Sequence, residues 1–170
     1  MELNKQLKDL LREMMRAEDI LLDKYADLIT KAMTQEEEPT SMQFDFGQGL
    51  VNAHRHQNPD GSVGGWVADT AYVAETAYVG PEALVFDKAR VYGEAWVFDK
   101  ARIYDEAWVS GKAEVYGKAQ VSGKAKVSGE AWVSGKARVS GEARILDHAL
   151  VFGDAWISHS MVISNNQKVS

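Results

Sequence analysis

From Val67 to Ile163 an aliphatic residue returns at every sixth position: Val67, Val73, Val79, Val85, Val91, Val97, Ile103, Val109 and onward without a slip. An alanine stands two residues earlier in an unbroken series from Ala71 to Ala155. Neither the helical period nor plain strand alternation produces a sixfold repeat. Such a repeat is the mark of a parallel β-helix, in which each short unit stacks on its neighbours and none is stable alone. Strand alternation turns the aliphatic residue and its alanine inward and the residues flanking the aliphatic one outward. Alanine beside a corner fits a narrow coil with no room for a larger side chain. Two positions after the aliphatic residue stands glycine, as at Gly93, Gly111 and Gly117, or aspartate, as at Asp87, Asp99, Asp105 and Asp147. Both types tolerate a positive φ, which a sharp corner demands.

The repeat leaves the first 65 residues to other structure. Residues 1–35 read as an amphipathic helix whose stripe is Leu3, Leu7, Leu10, Met14, Leu21 and Leu28. That stripe is too broad for water, so it is expected to pack on a copy of itself, on the solenoid or on a protein partner. Its many carboxylates oppose a membrane surface. The acidic run ending at Pro39 closes the helix, and 36–41 reads as a linker. Residues 42–65 read as a hairpin cap. Met42, Phe44 and Phe46 alternate as in a half-buried strand, and Asn58-Pro59-Asp60-Gly61 is a turn joining Leu50–Gln57 to Ser62–Val67. The β-helix is assigned to 66–163, about five coils, and 164–170 to a polar tail.

Composition narrows the functional classes. A formal charge of -6 opposes general nucleic-acid binding. The absence of cysteine excludes disulfides and thiolate metal sites. No apolar run approaches a membrane span. No signal peptide is evident, and a cytoplasmic or virion-associated protein is expected.

The repeat resembles the hexapeptide-repeat proteins, whose coils are left-handed parallel β-helices of three hexads per turn. Val79-Gly-Pro-Glu-Ala-Leu84 matches the family's usual form, whereas most hexads carry an aromatic residue or serine after the aliphatic one, as in Val91-Tyr-Gly-Glu-Ala-Trp96. That variant, with the preceding His54–Val67 segment, looks like uncharacterised hexapeptide proteins of bacteria and their phages, which implies no activity. The resemblance also implies a homotrimer.

Folding the outward positions onto an eighteen-residue coil separates three faces. One collects Tyr78, Trp96, Phe98, Tyr116, Trp132, Leu150 and Phe152, interrupted only by Glu114 and Ser134. A contiguous apolar strip of this kind marks an interface. A second carries Trp66, Leu84, Phe86, Tyr104 and Trp156 before turning polar. The third mixes Tyr72, Arg90, Tyr92, Trp108, Lys126 and Arg144, where a cation can stack over Trp108.

Enzymes of the family transfer acyl groups with a histidine at a subunit boundary, beside a loop that interrupts the hexads. No interruption occurs here between Val67 and Ile163. His148 and His159 are the candidate general bases, with Asp147 or Asp154 nearby. His54 and His56, two apart on one strand, offer two imidazoles to a metal, but zinc needs three or four ligands. No cofactor is expected. The sequence favours a non-enzymatic structural or interaction module, a homotrimer as the resemblance implies, of bacterial or phage origin. The alternatives are an acyltransferase-like enzyme and a binder or inhibitor of a host protein or small anionic ligand.

Overall fold

The computed structural model describes residues 42–170. The helix expected over 1–35, with its stripe from Leu3 to Leu28, and the linker 36–41 lie outside the described residues. Three longer strands come first: β1 (Met42–Asp45), β2 (Leu50–Gln57) and β3 (Val63–Ala68). Two-residue strands then follow at six-residue intervals, from β4 (Tyr72–Val73) and β5 (Tyr78–Val79) to β20 (Lys168–Val169). Every third strand pairs in parallel, so the register advances by 18 residues per turn. Tyr72 lies opposite Arg90, Trp108 opposite Lys126, and Arg144 opposite Val162. Three sheets result, the first beginning with β3, the second with β4 and the third with β5.

The chain is thus a parallel β-solenoid of about six turns, one more than the spacing suggested. The segment 164–170, expected as a polar tail, belongs to it, because β20 pairs with Leu150–Val151. Val169 keeps the six-residue period, but Gln167 stands where alanine is usual and masks the repeat. The Gln167 side chain turns back to accept the Ser164 N–H at 2.9 Å, while its own N–H reaches the Ser164 carbonyl.

Most corners are four-residue turns closed by the alanine. Ala89 donates its N–H to the Phe86 carbonyl, and Ala101 donates to that of Phe98, both at 3.3 Å. From Asp87 onward the second residue of such a turn has positive φ, 71° at Gly111 and 58° at Asp105. A Cβ on Gly111 would lie 2.9 Å from the Gly129 carbonyl oxygen in the next coil. Aspartate at a corner brings a compensating bond. The Asp105 carboxylate accepts the Gly123 N–H at 2.9 Å, and Asp99 accepts that of Gly117 at 3.1 Å. These bonds bind one coil to the next outside the sheets.

The aliphatic and alanine columns form the core. Val79 through Val151 and Ala77 through Ala149 are fully buried. Each buried valine contributes about 1.5 kcal/mol or more. The carbonyls of both columns serve the coil below: Tyr72 donates its N–H to Ala89, and Ala74 donates to Val91. One column therefore supplies apolar volume and the ladder acceptors together.

The hairpin expected over Leu50–Val67 forms, with β2 antiparallel to β3 across the Asn58–Gly61 turn and β1 antiparallel to β2. It adds two strands to the first sheet. Its turn also reaches the third sheet, where the Asn58 side chain substitutes for a neighbouring strand. Asn58 Oδ1 accepts the Val79 N–H at 2.9 Å, and Nδ2 donates to the Val79 carbonyl at 3.2 Å. His56 Nε2–H donates to the Ala77 carbonyl at 3.0 Å. An open β-edge is a template for aggregation. Here the edge of β5 is sealed by two buried polar side chains.

Candidate interaction surface

The 18-residue register stacks the outward side chains of each sheet in straight columns. On the third sheet it places Tyr78, Trp96, Glu114, Trp132 and Leu150 in one column. Phe98, Tyr116, Ser134 and Phe152, two positions further along, form the adjoining one. The rings interlock: Tyr78 stacks on Trp96 at 4.7 Å and Phe98 on Tyr116 at 4.9 Å. Edge-on contacts join Trp96 to Phe98 at 6.4 Å and Tyr116 to Trp132 at 6.5 Å. Tyr116 and Trp132 share a shallow groove with Leu150 and Phe152. The seven side chains that the spacing assigned to one strip therefore form one surface. Much of it is open to solvent, with Trp96 50 % exposed, Trp132 44 % and Phe152 41 %.

The apolar half of the first sheet is covered by the chain itself. Phe44 stacks on Trp66 at 4.6 Å, and Phe46 stacks on Phe86 at 4.9 Å. Phe86 in turn stacks on Tyr104 at 5.1 Å. Arg102 clamps the cover in place, its Nη2 donating to the Phe46 carbonyl at 2.7 Å and its guanidinium lying over Phe86. The alternation of Phe44 and Phe46 signalled a buried face, but the sequence does not say which rings they meet. Trp156 stays 71 % exposed, beyond their reach.

The second sheet carries a groove of about 420 Å³ lined by Lys88, Arg90, Glu106, Trp108, Lys124 and Lys126. A smaller groove continues it between Lys124, Lys126, Glu142 and Arg144. Trp108 holds a cation from each neighbouring coil, Arg90 at 5.5 Å and Lys126 at 5.1 Å from its ring. Tyr92 packs on Trp108 at 5.6 Å and Tyr72 on Tyr92 at 5.0 Å.

The four histidines are held separately. Strand alternation would put His54 and His56 on one face, but the β2–β3 register shifts between Arg55 and Gln57. His54 is consequently exposed and bonds Asp69 at 3.0 Å, whereas His56 is buried beneath the third sheet. The two imidazoles thus take different partners, and no group of three or more metal-binding side chains occurs among the described residues. His148 is exposed and sits 3.2 Å from Glu130 in the coil below. His159 occupies a positive-φ corner, its ring bonded to Ser158 at 2.9 Å. Asp154 pairs with Lys136 at 3.7 Å, and the Asp147 carboxylate accepts the Asn165 N–H at 3.2 Å. Neither carboxylate is bonded to a histidine.

Burial holds His56 below its ordinary value of 6.5, although its bond to Ala77 pulls the other way and His54 adds a smaller downward push. The unfolded chain therefore takes up a proton before the folded one as pH falls. Stability is expected to be level above about pH 7 and to fall as pH drops through about 6.5. Urea midpoints between about pH 7.5 and pH 5.5 will show this slope, and His56→Gln will flatten it.

Comparison with family models, with curated proteins and with solved structures finds no match.

Proposed function

We propose that this chain is a non-enzymatic interaction module, a left-handed hexapeptide β-helix that assembles as a homotrimer through the aromatic strip of its third sheet. The continuous ladder from Tyr78 to Phe152 carries this reading. Trp96, Trp132 and Phe152 on it are exposed, while the Trp66 and Phe86 rings of the first sheet lie under Phe44 and Phe46. Exposed aromatics in contact with one another are the material of interface cores. A strip parallel to the solenoid axis lets several copies pack side by side, their strips meeting about a shared axis. The unbroken repeat supplies rigidity without the inserted loop that builds a catalytic cleft. A scaffold or virion protein of bacterial or phage origin is the setting this design suits, with the apolar stripe Leu3–Leu28 as a further contact for copies or for a protein partner.

Replacing Trp96 and Trp132 together with glutamate tests the surface directly. Six glutamate charges, two from each chain, would then be crowded about the axis, at a cost of several kcal/mol. At micromolar concentration the double variant is expected to elute as a single chain with an unchanged far-UV spectrum. Retention of the wild-type mass would remove the strip from the interface.

A further inference from the structure

We propose that the groove along the second sheet binds a linear acidic glycan carrying one anionic group per disaccharide. The groove lies on a different sheet from the aromatic strip, so the inference does not rest on self-association. It is lined by two columns that rise one coil at a time. The corner column reads Lys88, Glu106, Lys124, Glu142, and the strand column reads Arg90, Trp108, Lys126, Arg144. Cations fill both columns on the first and third of these coils, with Glu106 and Trp108 between them. Coils rise by about 4.8 Å, which puts the two cationic pairs roughly 9.6 Å apart.

These cations are not consumed by local pairing. Three corner lysines elsewhere take a carboxylate from an adjacent coil: Lys100 meets Glu82 at 3.4 Å, Lys112 meets Glu94 at 4.0 Å and Lys136 meets Asp154 at 3.7 Å. Among the described residues Lys88, Arg90, Lys124, Lys126 and Arg144 form no such pair, although Glu106 and Glu142 stand in the same groove. Trp108 holds Arg90 and Lys126 apart on its two sides. The result is a spaced array of charge in a protein whose formal charge is -6.

The spacing selects the ligand. An extended peptide presents side chains on one face about every 6.8 Å, out of step with a two-coil interval. A polyphosphate or nucleic acid brings charge to every residue and would set phosphates against Glu106 and Glu142. An acidic glycan with alternating charged and neutral sugars brings an anion to every second coil. Between the anions it presents hydroxyl groups, which the glutamate carboxylates can accept as hydrogen-bond donors. Such contacts are water-exposed and charge-based, so binding must weaken with salt.

The test is calorimetric titration of the whole chain, at low and at physiological salt, with a hyaluronan octasaccharide. Oligogalacturonate of equal length, neutral dextran and inorganic polyphosphate are the comparisons. The proposal expects saturable, salt-sensitive binding of hyaluronan, weaker binding of oligogalacturonate and polyphosphate, and none of dextran. Lys124→Glu with Lys126→Glu, both on exposed side chains, should reduce hyaluronan affinity about tenfold or more, equivalent to 1.4 kcal/mol, with the melting temperature and assembled mass unchanged. Absence of hyaluronan binding, tighter binding of polyphosphate or oligogalacturonate, or affinity indifferent to the double variant would each overturn it.

Discussion

Gly65→Ala will lower the melting temperature by about 10 °C, a loss of about 3 kcal/mol for a chain of this size. Gly65 has no unusual φ, so its need is for space alone. A Cβ there would collide with the Ala83 carbonyl oxygen, lie 2.6 Å from that of Gly80 and 2.9 Å from Val79 Cγ1. Two of these neighbours are backbone at the Gly80–Ala83 corner of the first coil, and no rotamer change moves them aside. The neighbouring Gly64 is confined in the same way, with the Val79 carbonyl oxygen 2.5 Å from any added Cβ. Differential scanning calorimetry of the alanine variant measures the effect. A melting temperature within a degree or two of wild type would mean that the hairpin does not press on the first coil.

Asn58→Ala is expected to cost about 2–3 kcal/mol, because it orphans a buried donor and a buried acceptor of Val79 at once. Asn58→Asp sharpens the test. Aspartate can still accept the Val79 N–H, but its carboxylate has no proton for the Val79 carbonyl and would face it in a buried position. It should therefore be no better than alanine, despite being nearly the same shape. In urea both variants should have lower midpoints, and hydrogen exchange at the Val79 amide should rise selectively. An aspartate variant as stable as wild type would show that the paired side-chain bond contributes little.

The effect at Asn58 also marks where sequence reading stops. Its turn role follows from the local Asn-Pro-Asp-Gly composition, but its partner lies 21 residues downstream. Nothing local announces that contact. His56 is similar: alternation pairs it with His54, and only the register shift after Arg55 sends it inward. By contrast the solenoid itself was plain, because one period fixes strand, corner and core together. Val79 and Ala77 can be assigned inward from spacing alone, and they are. The last coil was missed for a chemical reason. Gln167 replaces the usual alanine and adds a side-chain bond to a turn that its backbone N–H also closes, so the pattern fades while the backbone continues.

The outward surface was legible to different depths on the three sheets. The third needed only the 18-residue register, since its aromatics contact one another along a column. The second yielded the stacking of a cation on Trp108, but not the unpaired spacing of charge that gives its groove a ligand preference. On the first, Phe44 and Phe46 return onto Trp66 and Phe86, a cover that the outward positions alone do not reveal. A hexad repeat thus specifies which side chains are offered outward. Whether each is used depends on segments outside the repeat.

Self-association through the third sheet is most directly tested by sedimentation equilibrium of the whole chain over a micromolar concentration range. The account predicts a mass about three times the 18.8 kDa of one chain, independent of the loading concentration. A single-chain mass throughout that range would contradict it.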